Sequence, residues 1–281
     1  MKAPSFEYER PTTLAAALSC LARPDKDAFL LAGGQSLMPM MNFRLAQPDI
    51  LVDINNIGEL KGIIEEDNAL VIGAMTRYAE LERSPVVAKR LPLIKQALPH
   101  IAHPAIRNRG TIGGSIALAD PAAEMPALLL ALDATILAVS SEGERRIPAD
   151  QFFTGLYQTA LEKSEIVKAL SIPTAGPDAH FAFEELARRH GDYAMIGVAI
   201  AAASIMPYSD LRIAFFSIGD RAIRATGAEE ALAGRTNSDE LAIANALDAV
   251  RSMEFEGDLN ASSETKRHLA QVLLKRALAK M

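Results

Sequence analysis

An α+β fold in three consecutive units is predicted by three observations. Two short apolar strands lie close together near the N terminus, a middle stretch mixes hairpin strands with helices, and a late run of apolar strands is followed only by helices. The length of 281 residues is enough for two domains, or for one large domain with a satellite. With 49% hydrophobic and 23% charged residues the chain is built to bury a core.

Thr12 or Thr13 can cap a helix over Leu14 to Leu21, in which Leu14, Ala17, Leu18 and Leu21 follow the helical period and Pro24 stops it. Ala28 to Ala32 reads as a buried strand that runs straight into Gly33-Gly34-Gln35-Ser36. Ile50 to Ile54 is a second strand, able to pair with the first in parallel. These elements make a first subdomain, residues 1–57.

The middle unit, 58–176, opens with a hairpin over Ile63 to Gly73 that turns at Asp67-Asn68. Thr76 is expected to cap a helix to Arg83, and Pro85 to Leu98 to form another. His100 to Gly110 should be loop, and Pro121 to Leu132 an apolar helix with Leu128, Leu129, Leu130 and Leu132 in the core. Ala134 to Val139 and Glu165 to Ile172 read as strands. Thr174 to Asp178 gathers Gly and Pro as a linker. In the last unit, 177–281, His180 to Glu185, Ile196 to Ile205 and Leu211 to Ile218 should form an antiparallel meander. Helices over Ala228 to Leu232, Asp239 to Arg251 and Ser263 to Lys280 are expected on one face of that sheet.

Composition excludes several functions. Net charge −6 argues against a nucleic-acid partner, because phosphate backbones require a basic surface. The lone Cys20 can neither close an intrachain disulfide nor hold an iron-sulfur cluster or structural zinc. The first ten residues lack a signal-peptide pattern, and the longest apolar run, Met195 to Met206, is too short for a bilayer; both point to a cytoplasmic protein. There is no P-loop, no G-x-G-x-x-G and no G-x-S-x-G elbow. His100 and His103 have metal-like spacing but no acidic or thiol neighbour, so a polar loop is the simpler reading.

Two glycine pairs carry the functional signal, Gly33-Gly34-Gln35-Ser36 and Gly113-Gly114-Ser115. Either pair can be a tight turn. Without Cβ atoms, adjacent glycines also let successive N–H groups converge on an anion, and two such loops can clamp a diphosphate. Arg107 and Arg109 are placed to balance that charge, to bind a partner's carboxylates, or simply to be solvated. Asp120 and Glu124 suit a helix N terminus or ligand hydroxyls, and Tyr193 suits packing or stacking on a planar ligand.

The segments Ala32-Gly33-Gly34-Gln35-Ser36-Leu37, Leu51 to Ile54, Ile106 to Ser115, Asp120 to Pro126 and Gly191 to Ala194 occur in one order along the chain. In this the sequence resembles the medium, FAD-binding subunits of molybdenum hydroxylases, the group of carbon monoxide dehydrogenase and xanthine dehydrogenase, over essentially its whole length. The resemblance implies a two-subdomain FAD module of the vanillyl-alcohol-oxidase type, then a C-terminal domain with a three-stranded sheet and helices. It assigns Ala32, Gly33, Gly34, Gln35, Ser36 and Leu37 with Thr111, Ile112, Gly113, Gly114 and Ser115 to the FAD diphosphate and ribityl chain. By the same resemblance Ile101, Ile166 and Val167 line the flavin or adenine, Asp120 and Glu124 bind flavin hydroxyls or amides, and Tyr193 lies beside the isoalloxazine. No metal and no general base are expected on this chain. The partners implied are a large molybdopterin subunit and a small iron-sulfur subunit, as a dimer of heterotrimers, with FAD passing electrons to an external acceptor. Two rival readings are a free-standing flavin oxidoreductase with its own substrate pocket and a scaffold that has lost its flavin. The chain departs from the family's pattern at Ala102, where relatives commonly have glycine, and at Glu184-Glu185, where they often have lysine.

Overall fold

The computed structural model describes residues 2–281; Met1 lies outside the described residues. The first unit is a parallel sheet with Ile50–Asp53 at its centre, flanked by Ala28–Leu31 and Glu7–Glu9. Thr13 caps the helix Leu14–Leu21, its hydroxyl accepting from the Ala16 N–H at 3.3 Å. The helix buries Leu14, Ala17 and Leu18 against Ile50, Val52 and Ile54. Glu7–Glu9 has no apolar face and gave no strand signal; it is held by backbone pairing and by the Tyr8 hydroxyl, which donates to Asp53 at 2.5 Å. A helix also forms over Leu37–Asn42, directly after the first glycine pair. Pro39 masks that helix in the sequence, yet in a first turn its missing N–H costs nothing.

The middle unit is a five-stranded antiparallel sheet in the order Ile63–Glu65, Ala69–Gly73, Ile166–Pro173, Thr135–Ser140, Gly143–Pro148. Four expectations need correction. Thr76 caps nothing: its hydroxyl clamps Gly62, accepting from its N–H at 3.2 Å and donating to its carbonyl at 3.1 Å. The following helix is Tyr78–Arg83, and there the Glu80 carboxylate accepts from the Arg77 N–H. Pro85 to Leu98 is two helices, Pro85–Arg90 and Pro92–Ala97, because Pro92 drives Leu91 out of the helical region, to φ −130° and ψ 63°. The loop after His100 contains one helical turn, Pro104–Arg107. The helix expected from Pro121 begins at Glu124, since the Asp120 carboxylate accepts the Ala122 N–H at 2.9 Å and folds those residues into a turn. From Glu124 to Ala131 every residue of that helix is buried. Gly143–Pro148, an exposed and charged edge strand, had no apolar pattern to betray it.

The C-terminal sheet has four strands, not three: His180–Ala187, Ala194–Ala202, Arg212–Phe216 and the two-residue Ile223–Arg224, all antiparallel. Its central strand is apolar at nearly every position because both faces are covered. Val198, Ile200, Ile213 and Phe215 pack with the helices Thr226–Leu232, Glu240–Arg251 and Ser263–Leu278. Alternate residues Ala199, Ala201, Ala214 and Phe216 join the core of the middle unit instead, around Glu124–Ala131. A strand covered on both sides loses its polar alternation and reads as one continuous run. The third unit is therefore welded to the second through a shared core.

Ala102 adopts φ 48°, the left-handed region that disfavours a Cβ. Ala102→Gly should raise stability by about 1 kcal/mol, read as a melting midpoint higher by about 2–4 °C. An unchanged or lower midpoint would show that Ala102 carries no such strain.

Candidate functional site

The strand Ala28–Leu31 delivers the first glycine pair to a corner where the N–H groups of Gly33, Gly34, Gln35, Ser36 and Leu37 donate to no protein acceptor among the described residues. Five successive free donors at the mouth of a short helix make an anion-binding concavity. The second pair is arranged differently. Thr111 to Ser115 is not a loop but the start of the helix Ile112–Leu118, with Thr111 as its cap. Its amides are already engaged: Ile112 with the Thr76 carbonyl at 3.1 Å, Gly113 with Ala74 at 2.9 Å, Gly114 with the Thr111 hydroxyl at 3.2 Å and Ser115 with the Thr111 carbonyl at 3.1 Å. The first corner thus supplies the donors, and the second supplies the surface against which it closes.

The two corners touch. A Cβ on Gly33 would lie 2.5 Å from the Arg109 carbonyl oxygen and 2.8 Å from the Gly110 Cα, a contact that only glycine permits. A Cβ on Gly114 would lie 2.8 Å from the Thr111 hydroxyl and 3.4 Å from the Ala32 methyl. A side chain at Gly114 therefore breaks the helix cap and pries the corners apart, rather than merely filling ligand space. A polar clasp holds the junction closed. The Asn55 amide donates to the Ala32 carbonyl at 2.8 Å and to Asp53 at 2.7 Å, while the Arg77 guanidinium bridges the Asn55 side chain and the Arg109 carbonyl. Burial pushes the Asp53 carboxyl up, but hydrogen bonds from Tyr8 and Asn55 and the charge of Arg10 bring it net below its ordinary value, so it stays an anion. Asn55 and Arg77 were not singled out in the sequence; their only signal is adjacency to a strand end and to a capping box.

Beyond the corners stands an acidic and aromatic wall. Tyr193 immediately precedes its strand and is 62% exposed, so it is not ordinary core. Asp120 and Glu124 are buried. Burial raises the Asp120 carboxyl, partly offset by hydrogen bonds from the Ala122 N–H and the Tyr193 hydroxyl. Burial pushes Glu124 up to about 7; its own backbone N–H opposes the shift, and the nearby Glu185 adds to it. Glu185 lies 3.2 Å from His100 Nδ1 and is itself almost wholly buried. That hydrogen bond raises the His100 pKa against the opposing effect of burial. His100 also packs on Phe183 and against His190, so it is part of the wall and not a free loop histidine. Glu184 pairs with Lys280, which sets a cation beside this strand.

The other anticipated residues are dispersed. Ile101 and Val167 are buried in the main core and Ile166 in the core of the first unit. Arg107 is neither solvated nor free for a ligand: it is buried, paired with Glu82 at 3.1 Å and donating to the carbonyls of Ile101 and Ala102. Arg109 contributes its carbonyl to the junction and exposes its side chain.

A run of free backbone donors set against a second glycine corner is the arrangement that the phosphates of a nucleotide cofactor require. Comparison with known proteins makes this specific. Residues 4–175 match the FAD binding domain in molybdopterin dehydrogenase, and residues 181–281 match the CO dehydrogenase flavoprotein C-terminal domain. The chain belongs to this family of FAD-binding dehydrogenase subunits. It is 41% identical to the carbon monoxide dehydrogenase medium chain of Hydrogenophaga pseudoflava, over 98% of this chain and 96% of that one. It is 38% identical to the caffeine dehydrogenase subunit beta of a Pseudomonas species, over 100% and 96%. Among solved structures, the H. pseudoflava carbon monoxide dehydrogenase that lacks the Mo-pyranopterin moiety superposes with a TM-score of 0.96 at 42% identity, covering 100% of this chain and 98% of that one. Quinoline 2-oxidoreductase from Pseudomonas putida 86 superposes with a TM-score of 0.93 at 39% identity, with the same coverage. No described helix is long and apolar enough to cross a membrane.

The buried Glu124 sets a pH dependence. Its folded pKa lies above the unfolded value, so the folded state holds the extra proton and stability falls as pH rises from about 4.5 to about 7. His100, also raised, contributes stability below its unfolded pKa that is lost as pH rises through its folded value. Glu124→Gln should flatten most of the decline below pH 7 in thermal melts of the flavin-free chain. A slope equal to wild type would mean that Glu124 is ionised throughout.

Proposed function

We propose that this chain is the FAD-carrying electron-transfer subunit of a molybdenum hydroxylase complex, taking electrons from iron-sulfur clusters of a partner subunit and delivering them to an external acceptor. The observation that carries the reading is the run of five unpartnered N–H groups, Gly33 to Leu37, closed by the Arg109–Ser115 segment. When bound, FAD supplies reversible one- and two-electron chemistry. The donors of the first corner hold the diphosphate oxygens, and the hydroxyls of Ser36 and Ser115 add to them. Thr111, Ile112, Gly113 and Gly114 keep the opposing helix start against Ala32, which fixes the width of the cleft. Asp120 accepts from cofactor hydroxyls or ring N–H groups, and Tyr193 covers one ring face. Glu124, with a pKa near 7, holds a proton close to the site at neutral pH. Ile101, Ile166 and Val167 fix the apolar walls from within the two cores.

In this reading 1–57 and 58–176 are the two halves of the cofactor module and 177–281 is the domain that brings Tyr193 to it. Cys20, the only cysteine and a buried one, leaves the clusters to a small subunit and the molybdopterin to a large one; a cytoplasmic dimer of such heterotrimers fits this division. Co-expression of the chain with its large and small subunits tests the proposal. Wild type should carry one flavin per chain, and Gly33→Ala should lower flavin occupancy at least about tenfold while the subunits still co-purify, because the added Cβ strikes backbone. Equal occupancy in the two proteins, or substrate turnover by the isolated chain, would overturn it.

A further inference from the structure

We infer that Ser217 is a positioning residue that holds Asp120 and Tyr193 in register across the junction between the second and third units; the functional part of this inference rests on the proposed flavin site. Asp120 belongs to a turn of the middle unit and Tyr193 to the entry of the strand Ala194–Ala202, far apart in sequence. Ser217 follows the strand Arg212–Phe216 and uses each of its polar groups on a different segment. Its N–H donates to the Pro121 carbonyl at 2.8 Å, next to Asp120. Its hydroxyl donates to the Ala194 carbonyl at 2.6 Å, next to Tyr193. Its carbonyl accepts from Lys266 Nζ at 2.7 Å, on the last helix.

The energetics single this residue out. Ser217 has φ 61°, a left-handed conformation that strains an L-residue and that glycine adopts freely. Glycine would satisfy the backbone, so what serine adds is the hydroxyl, and the hydroxyl is committed to Ala194. Lys266 is 3% exposed, a burial that is unfavourable for an ammonium group unless it is paired. Here Asp258 neutralises it at 2.7 Å, and the third unit thereby clamps the Ser217 carbonyl from below. Tyr193 is mostly exposed, and its hydroxyl reaches the Asp120 carboxylate. That reach depends on where its backbone stands, and Ser217 ties this backbone to the Asp120 turn.

Ser217→Gly separates this role from folding, since it deletes the hydroxyl and relieves the backbone. In the flavin-free chain, the melting midpoint should stay within about 4 °C of wild type, while hydrogen exchange of the amides at 192–196 accelerates about tenfold. In the flavin-loaded complex, the visible circular dichroism of the bound flavin should shift in the same direction as in Tyr193→Ala, and the double variant should shift no further. Wild-type exchange and a wild-type flavin signal in Ser217→Gly, alongside a changed signal in Tyr193→Ala, would overturn the inference and leave the flavin site standing. An unchanged signal in Tyr193→Ala would overturn the placement of flavin beside Tyr193, and with it the function assigned to the tether.

Discussion

The structure turns on one backbone-to-backbone contact, that of Gly33 with the Arg109–Gly110 peptide. It brings a corner of a parallel sheet against the start of a helix from a separate antiparallel sheet. Apolar packing joins the two units elsewhere, where Met75, Val139 and Ile166 enter the first unit's core, while at this point the close approach needs the absence of a side chain at Gly33 and is held by the Asn55–Arg77 clasp. Polar clasps contribute modestly to stability, but they are directional, and direction is what a ligand cleft requires.

The sheets and helices were legible in the sequence where local rules decide. Thr13 caps its helix, the hairpin turns at Asp67-Asn68, and the doubly covered strand over Ala194–Ala202 shows itself as an unbroken apolar run. The break at Leu91 was equally local, since the residue before Pro92 is pushed out of the helical region. The edge strands Glu7–Glu9 and Gly143–Pro148 were invisible because they lack a sustained apolar alternation and are held by a neighbour's backbone and by polar side-chain contacts.

The site was legible as a pair of motifs but not as a division of labour. Glycine spacing shows where backbone can approach a ligand; it cannot show whether an amide is already engaged. The partners that occupy Ile112 and Gly113 are carbonyls of Thr76 and Ala74, fixed by the tertiary fold. Arg107 illustrates the same limit. As a sequence feature it is a cation beside a glycine pair, yet burial against Glu82 and two carbonyls makes it a strut for the loop that carries Ile101 and Ala102. Acidity is likewise a property of the assembled wall: Glu124 is raised chiefly by its burial, and Glu185 of the third unit adds to the shift.

Of the seven non-glycine residues with left-handed backbone among the described residues, four stand around this wall: Ala102 beside Ile101, Ala119 before Asp120, Tyr157 near Tyr193 and Asp120, and Ser217 between the two units. Such conformations persist only while their surroundings hold them in place. The wall therefore takes its shape from the units packed around it more than from the preferences of its own backbone, and a change in that packing would be felt there first.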